Sequence, residues 1–369
     1  MKNTATITFH ASHNYGSVLQ AYALQNVIES FGFENEIINL RTARQVDLYT
    51  VLTKRRGIKY IFKNASHLLY YNKLKIRYAR FEDFINNKLK LTAKTFTSID
   101  DIKKANLKYD CFIAGSDQIW NPVPSDFDWS YYLPFVKEGK RIAYAPSFGQ
   151  LASQGNSETV RQIEQYLKDF DFISVREKGA QKNVEKILGI SPEIVLDPTL
   201  LLNVSSWDKL IKKEPVIKGD YIFLYTLFAD KEIIKIAKNI SVLLNMPIVT
   251  SNFSNQFDVF TPFKKVFDAG PEEFLSLVKN AKLVLSSSFH GTVFSIIFHT
   301  PFFAIRGNTD ARISNLLLGT GLECRTIDIN DFVQKSNEAF LIDFKIADKN
   351  IIDLKKKSKS FLENAINEE

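Results

Sequence analysis

Residues 4–40 read TATITFHASHNYGSVLQAYALQNVIESFGFENEIINL. Apolar residues alternate over 4–9, as in a strand, then recur at three and four from 16 to 31, as in a helix, and Gly32 ends that run. Residues 36–40 return to a strand pattern. Strand, helix and strand in this order form a βαβ unit, whose two strands lie parallel.

The same alternation runs on along the chain. Strands are expected at 110–115, 141–148, 172–176 and 193–196, with helices at 157–169 and just after 176. Runs such as Cys111-Phe112-Ile113-Ala114 and Ile142-Ala143-Tyr144-Ala145 are nearly all apolar, as in parallel strands buried on both faces. A polar stretch at 203–220 interrupts the pattern, which then restarts with strands at 221–228, 247–250, 282–286 and 302–305 and helices at 231–244, from Pro271, at 291–298 and at 312–318. The expected organisation is an α/β domain over 1–202 with a basic helical insertion at about 54–94, a second α/β domain over 203–345, and a closing helix over 346–369 that packs back across the body.

Composition narrows the class. The chain has 369 residues, 45% of them hydrophobic and 24% charged, with only 15 Gly and 11 Pro, so disordered and collagen-like readings fail. No apolar run approaches the roughly 18 residues that suggest a membrane span, and the polar start does not resemble a signal peptide. A cytoplasmic location is expected. The two cysteines, Cys111 and Cys324, indicate neither a disulfide framework nor a metal site.

The net charge of +7 is local: residues 54–94 hold 12 basic and 2 acidic residues. Apolar residues there recur at helical spacing, so the stretch reads as one or two amphipathic helices with a basic face. That face suits anionic lipid or a diphosphate-bearing acceptor; the plainer reading is a solvated Lys/Arg face.

In open α/β sheets, ligands sit beyond the carboxyl ends of strands. Four such turns carry chemistry. Ser287-Ser288-Phe289-His290-Gly291-Thr292 follows a strand and opens an apolar helix, offering backbone N–H groups for an anion beside a titratable imidazole; alternatively Ser288 caps the helix and His290 is structural. Arg176 ends another strand, where its guanidinium either clamps a phosphate or carboxylate or forms a salt bridge to Glu177 or Asp197. Gly115-Ser116-Asp117-Gln118-Ile119-Trp120-Asn121-Pro122 has the polar and aromatic density that suits sugar hydroxyls, or is a rigid turn. His10-Ala11-Ser12-His13-Asn14-Tyr15-Gly16-Ser17 joins the first strand to the first helix, with Asn14 or Ser12 as a plain cap in the alternative. Arg306 and Arg312 flank Asp310 as a second anion clamp or an ion pair. No His/Cys/Asp/Glu set has metal-ligand spacing, and neither a P-loop nor a G-x-S-x-G elbow is present. No metal is expected.

Asn14-Tyr15-Gly16, Gly115-Ser116-Asp117-Gln118 with Trp120-Asn121-Pro122, Ser147-Phe148-Gly149, Ser174-Val175-Arg176-Glu177, Leu196-Asp197-Pro198-Thr199, Gly270-Pro271-Glu272-Glu273-Phe274 and Ser288-Phe289-His290-Gly291 occur in one order. Together they resemble the polysaccharide pyruvyl transferase family. The resemblance implies two Rossmann-like domains in a glycosyltransferase-B-like arrangement with a cleft between them. It also implies transfer of a pyruvyl group from phosphoenolpyruvate to a hexose of a surface polysaccharide, or to its lipid-linked precursor, as a ketal. On that basis His290 and Arg176 are the catalytic pair, and Ser288, Phe289, Gly291, Arg306 and Arg312 hold the donor. Asn14, Tyr15, Gly16, Ser116, Asp117, Gln118 and Trp120 meet the acceptor. Phosphoenolpyruvate is a co-substrate and no cofactor is expected. No nucleic acid partner is expected, and the basic helices give a reason for peripheral contact at the inner face of the membrane. Two other readings compete: a nucleotide-sugar glycosyltransferase of the same shape, and a non-catalytic binder of anionic lipid or polymer.

Overall fold

The computed structural model describes residues 2–53, 57–149, 157–227, 231–251, 261–305, 307, 309–328, 335 and 338–368. The chain divides into two compact units. Residues 1–49, 82–202 and 352–369 form the first, and residues 50–81 and 203–351 the second.

The chain begins with β1 (Asn3–Ile7), α1 (Tyr15–Ser30), β2 (Glu34–Ile37) and α2 (Ala43–Tyr49), then passes through α3 (Ile58–Leu68) and α4 (Tyr71–Lys88). It continues with α5 (Ile99–Ala105), β3 (Cys111–Asp117), β4 (Lys140–Pro146), α6 (Ser157–Leu167), β5 (Phe172–Val175), α7 (Lys178–Leu188) and β6 (Glu193–Ile194). The second half holds α8 (Val204–Asp208), β7 (Ile222–Tyr225), α9 (Lys231–Leu244), β8 (Ile248–Thr250), β9 (Lys264–Lys265) and α10 (Pro271–Lys279). It ends with β10 (Leu283–Ser286), α11 (Phe289–Ile297), β11 (Phe302–Ile305), α12 (Ala311–Thr320), β12 (Thr326–Ile327) and α13 (Lys345–Asn367).

Among the described residues, each unit contains one six-stranded sheet, ordered β2-β1-β3-β4-β5-β6 in the first and β12-β11-β10-β7-β8-β9 in the second. Every strand pair is parallel, with registers such as Thr6↔Ile113 and Leu285↔Leu224. Both are doubly wound Rossmann-like sheets, and their order reverses between β1 and β3 in one and between β7 and β10 in the other. The strands read as continuous apolar runs because both faces are covered: β3, β7, β10 and β11 are buried along their whole length. The first sheet has one core on each face, centred on Phe112, Trp120 and Tyr132 and on Ile113, Tyr144 and Ile366. One core of the second unit gathers Ile222, Ile236, Leu285 and Phe303.

The basic stretch is not simply an insertion in the first domain, because residues 50–81 belong with the second unit. Side chains of α4 explain this. Lys73 Nζ donates to the Lys265 carbonyl at 2.8 Å, Arg80 Nη1 donates to the Asp268 carbonyl at 2.8 Å, and the Tyr70 ring meets Phe267 edge-on at 5.0 Å. Beyond Phe81 the same helix buries Phe84 and Ile85 in the first unit. Helix α13 likewise begins in the second unit and, from Ile352, belongs to the first.

Candidate active site

The carboxyl ends of β1 and β3 flank the strand-order reversal of the first sheet, where a doubly wound fold receives ligands. Asn14 caps α1, its Oδ1 accepting from the Gly16 N–H at 2.9 Å. Asp117 ends β3. Its Oδ2 accepts from Ser17 Oγ at 2.7 Å and its Oδ1 from the Gln118 N–H at 2.9 Å. Gly115, just before, has φ +143°, and a Cβ there would lie 1.9 Å from the Tyr144 carbonyl oxygen, so only glycine lets β3 and β4 approach this closely. Asn14, Gly16, Asp117 and Gln118 therefore share this end of the sheet.

Three expected acceptor residues are buried. Trp120 is fully buried, stacked on Tyr132 at 5.3 Å and 7° and packed against Phe148 and Phe170, so it anchors a core. Tyr15 is fully buried in α1. Ser116 is enclosed too, with Oγ donating to the Ala145 carbonyl at 2.8 Å.

Arg176 follows β5 and is buried among carboxylates. Its Nη1 donates to Asp197 Oδ2 at 2.8 Å, Nε lies 3.5 Å from Glu177 Oε2, and Nη2 lies 3.7 Å from Asp117 Oδ1. Asp197 Oδ1 also accepts from the Thr199 hydroxyl at 2.7 Å, and Glu177 Oε1 from Ser147 Oγ at 2.6 Å. Burial works against the guanidinium charge, but the three carboxylates outweigh it and raise the Arg176 pKa. The salt-bridge alternative is the one the structure bears. One guanidinium among three carboxylates leaves a formal charge of about −2.

A neighbouring group was only half visible in the sequence. His13 Nε2 lies 2.8 Å from Glu82 Oε1, and the same carboxylate receives Arg41 Nη1 at 2.9 Å. The His13 ring stacks on Tyr49 at 5.5 Å, the Tyr49 hydroxyl donates to Asp126 Oδ2 at 2.9 Å, and Ser12 Oγ reaches the same oxygen at 3.4 Å. Burial raises the Asp126 pKa and drives the Tyr49 phenol up. On Glu82 burial also pushes upward, yet the hydrogen bond from His13 and the charge of Arg41 outweigh it and hold the carboxyl below its usual range. Ser12 and His13 stood in a quoted motif, whereas Arg41, Tyr49, Glu82 and Asp126 come from α2, α4 and loops that no local pattern links. An imidazole, a phenol, a hydroxyl and two carboxylates together can hydrogen-bond a polyol and move its protons.

In the second unit, β7 and β10 flank the reversal. Tyr225 ends β7, Ser286 ends β10, and the Ser287 N–H donates to the Tyr225 carbonyl at 3.2 Å. The Ser288 N–H donates to Ser286 Oγ at 3.0 Å, which fixes the turn into α11. Ser288 occupies the N-cap position without capping through its side chain. His290 is buried in the first turn, its ring 5.1 Å from that of Phe289 in an edge-to-face pair. Gly291 is required by packing: a Cβ there would lie 2.2 Å from Ser286 Oγ and 2.8 Å from Tyr225 Cδ1. Ser288, Phe289, His290 and Gly291 thus form one turn at this switch point. Arg312 is engaged by the α12 cap residue, with Nε 3.0 Å from Asp310 Oδ1 and Nη2 2.6 Å from Oδ2. The ion-pair alternative therefore describes the edge formed by Nε and Nη2. Arg306 lies outside the described residues. One cation escaped the sequence reading: Arg77 of α4 reaches the Ser251 carbonyl at 3.4 Å, just past β8, the strand beside β7.

Among the described residues, no group of three or more His, Cys, Asp and Glu side chains could hold a metal ion, and no helix is long and apolar enough to cross a membrane.

The sequence profile of the polysaccharide pyruvyl transferases matches residues 14–309. The chain belongs to the polysaccharide pyruvyl transferase family. It is therefore a transferase. The match begins at Asn14 and takes in every site residue expected from the sequence except Arg312, three positions beyond its end. No curated protein sequence matches the chain significantly. Among solved structures, a putative UDP-N-acetylglucosamine 2-epimerase from Listeria monocytogenes aligns at TM-score 0.57 and 9% identity, over 95% of this pyruvyl transferase and 90% of the epimerase. S. aureus MnaA, solved with UDP, gives TM-score 0.54 at 12% identity over 94% and 90% of the two chains. The UDP-GlcNAc 2-epimerase of Methanocaldococcus jannaschii gives 0.51 at 13% identity over 94% and 93%. At such identities the likeness is one of fold, and it is the two-domain, Rossmann-like fold of the glycosyltransferase-B class.

Proposed function

We propose that this pyruvyl transferase moves the pyruvyl group of phosphoenolpyruvate onto two hydroxyls of a hexose in a surface polysaccharide or its lipid-linked precursor, forming a ketal. The observation that carries the reading is the turn at 286–291: an imidazole and the first-turn N–H groups of a buried helix stand together at the switch point of the second sheet.

Phosphoenolpyruvate carries phosphate and carboxylate. The N–H groups opening α11 suit one of these, and a cation is needed for the other. Arg77 is the candidate that α4 brings to this end of the second sheet; Arg312, whose Nε and Nη2 face Asp310, is the other. In the reaction, the first sugar oxygen bonds to C2 of the donor as C3 gains a proton. The C2–O bond to phosphate then breaks, inorganic phosphate leaves, and the second sugar oxygen takes its place on C2. Of the two hydroxyl protons, one is matched by the methyl group formed at C3 and one leaves with phosphate, so atoms and electrons balance without an oxidant or reductant. His290 is the acid that serves C3.

For the acceptor, Asn14, Asp117 and Gln118 are joined by Ser12, His13, Tyr49 and Asp126, while Tyr15, Ser116 and Trp120 hold the loops from beneath. A net negative, hydroxyl-binding end of this kind suits a neutral sugar better than a nucleotide phosphate, which disfavours the nucleotide-sugar glycosyltransferase reading. With phosphoenolpyruvate as donor, the reaction runs in the cytoplasm, and a lipid-linked acceptor places the enzyme at the inner membrane face.

The test is to incubate the purified protein with phosphoenolpyruvate and a panel of hexosides, reading phosphate release and the mass gain of one carboxyethylidene group. His290→Ala should lower turnover by about 10²- to 10⁴-fold with an unchanged circular dichroism spectrum. Turnover retained in that variant removes His290 from the chemistry, and no phosphate release with any hexoside rejects the reaction.

A further inference from the structure

Helix α3 is mounted the wrong way round for a helix of a water-soluble surface. Ile58, Ile61, Phe62, Ala65, Leu68 and Leu69 fall on one arc of about 120°, and all six are exposed; Ile58 is 73% accessible, Phe62 61% and Leu69 70%. The opposite side makes polar contacts with the segment just before the helix. Asn64 Nδ2 donates to the Thr53 carbonyl at 3.0 Å while its Oδ1 accepts from the Thr53 N–H at 3.1 Å, and His67 Nδ1 meets the Val51 carbonyl at 2.5 Å. Amphipathic helices normally bury the apolar stripe, and contiguous exposed apolar surface marks a contact still to be made.

The charge around the helix identifies that contact. Between Asp47 and Glu82 the chain has nine Lys or Arg and no acidic residue. A second copy of the chain meeting this face through a two-fold axis would set like charges against each other. An apolar stripe on a stretch of chain whose only formal charges are basic is instead the pattern of a helix lying in an anionic lipid interface. We propose that α3 is an interfacial anchor, laying Ile58, Ile61, Phe62, Leu68 and Leu69 among the headgroups and upper acyl chains of an anionic membrane. This deepens the lipid-linked acceptor reading, on which it rests for its purpose but not for its physics.

The experiment floats the full-length protein with vesicles of phosphatidylcholine alone and of phosphatidylcholine with phosphatidylglycerol, without donor or sugar. The protein should float with the anionic vesicles, less so as salt rises. The triple variant Ile61→Ser, Phe62→Ser, Leu69→Ser should lose partition by at least about tenfold, with an unchanged melting temperature and unchanged phosphate release toward a soluble hexoside. Phe62→Trp should shift its emission to the blue only with anionic vesicles. The anchor is refuted by wild-type protein that stays with the buffer, by a triple variant that floats equally well, or by a lipid-free dimer that the triple variant dissolves. Because no substrate is present, flotation without turnover overturns only the reaction, and turnover without flotation overturns only the anchor.

Discussion

Arg176 stands among Asp117, Glu177 and Asp197 with its side chain nearly sealed from water. Removing one partner of a buried ion group strands the others, so Arg176→Ala should destabilise the first unit by about 3–5 kcal/mol and leave donor affinity unchanged. Thermal unfolding and donor titration separate the possibilities: normal stability with weakened donor binding would restore Arg176 as an anion clamp. His10 reports on the same sheet end in another way. Burial lowers its pKa to about 4, although Nε2 faces Asn39 Oδ1 at 3.2 Å and Nδ1 the Thr8 carbonyl at 3.3 Å. The unfolded chain, with a histidine pKa near ~6.5, takes up a proton that the folded one refuses. Stability should therefore fall as pH drops from about 6.5 toward 4, and His10→Gln should flatten that part of a pH series of denaturant midpoints.

Helix α4 carries two allegiances along one rod. Its first turns bind the second unit through Lys73, Arg77 and Arg80, the last also 3.5 Å from Glu273. Its later turns contribute Glu82 to His13 and Arg41 in the first unit. Because the Glu82 pKa is depressed in the folded state, the contribution of this carboxylate is complete above the usual carboxylate pKa of about 4.3 and is lost as pH falls through the folded value. Glu82→Gln should remove that lower part of the acid limb, below the window set by His10. An acid limb unchanged in denaturant titrations near pH 4 would show that the cluster does not couple to folding.

At the scale of the molecule, α13 ties the chain end into the first unit. Leu362, Ala365 and Ile366 are buried against Ile113 and Tyr144, Ser358 Oγ accepts from the Leu196 N–H at 2.9 Å, and Lys2 Nζ donates to the Ile366 carbonyl at 2.9 Å. Ile366→Ala should cost about 2–5 kcal/mol and move the unfolding of the first unit alone. Calorimetry resolves this: a single transition that shifts as a whole would mean that the two units unfold together.

The sequence by itself determined most strands and helices, though not the two-residue strands β9 and β12, because a buried parallel strand must be apolar throughout and a helix ends where Gly or Pro breaks its hydrogen bonds. Helix 231–244 and strand 302–305 match the structure residue for residue. It also determined that His290 and Gly291 follow a strand at a turn into a helix. What only the tertiary structure decided is which side chains remain to meet a ligand. Trp120 and Arg176 have the residue types of a site yet are engaged by a core and by three carboxylates, two of which, Asp117 and Asp197, come from other strand ends. Glu82 and Arg77, placed on a basic helix that looked solvated, reach the ends of the two sheets. The direction in which α3 faces was equally hidden, since periodicity defines the two sides of a helix but not which one is turned to the protein. Periodicity is a local property of the chain, whereas burial and charge pairing depend on partners tens or hundreds of residues away.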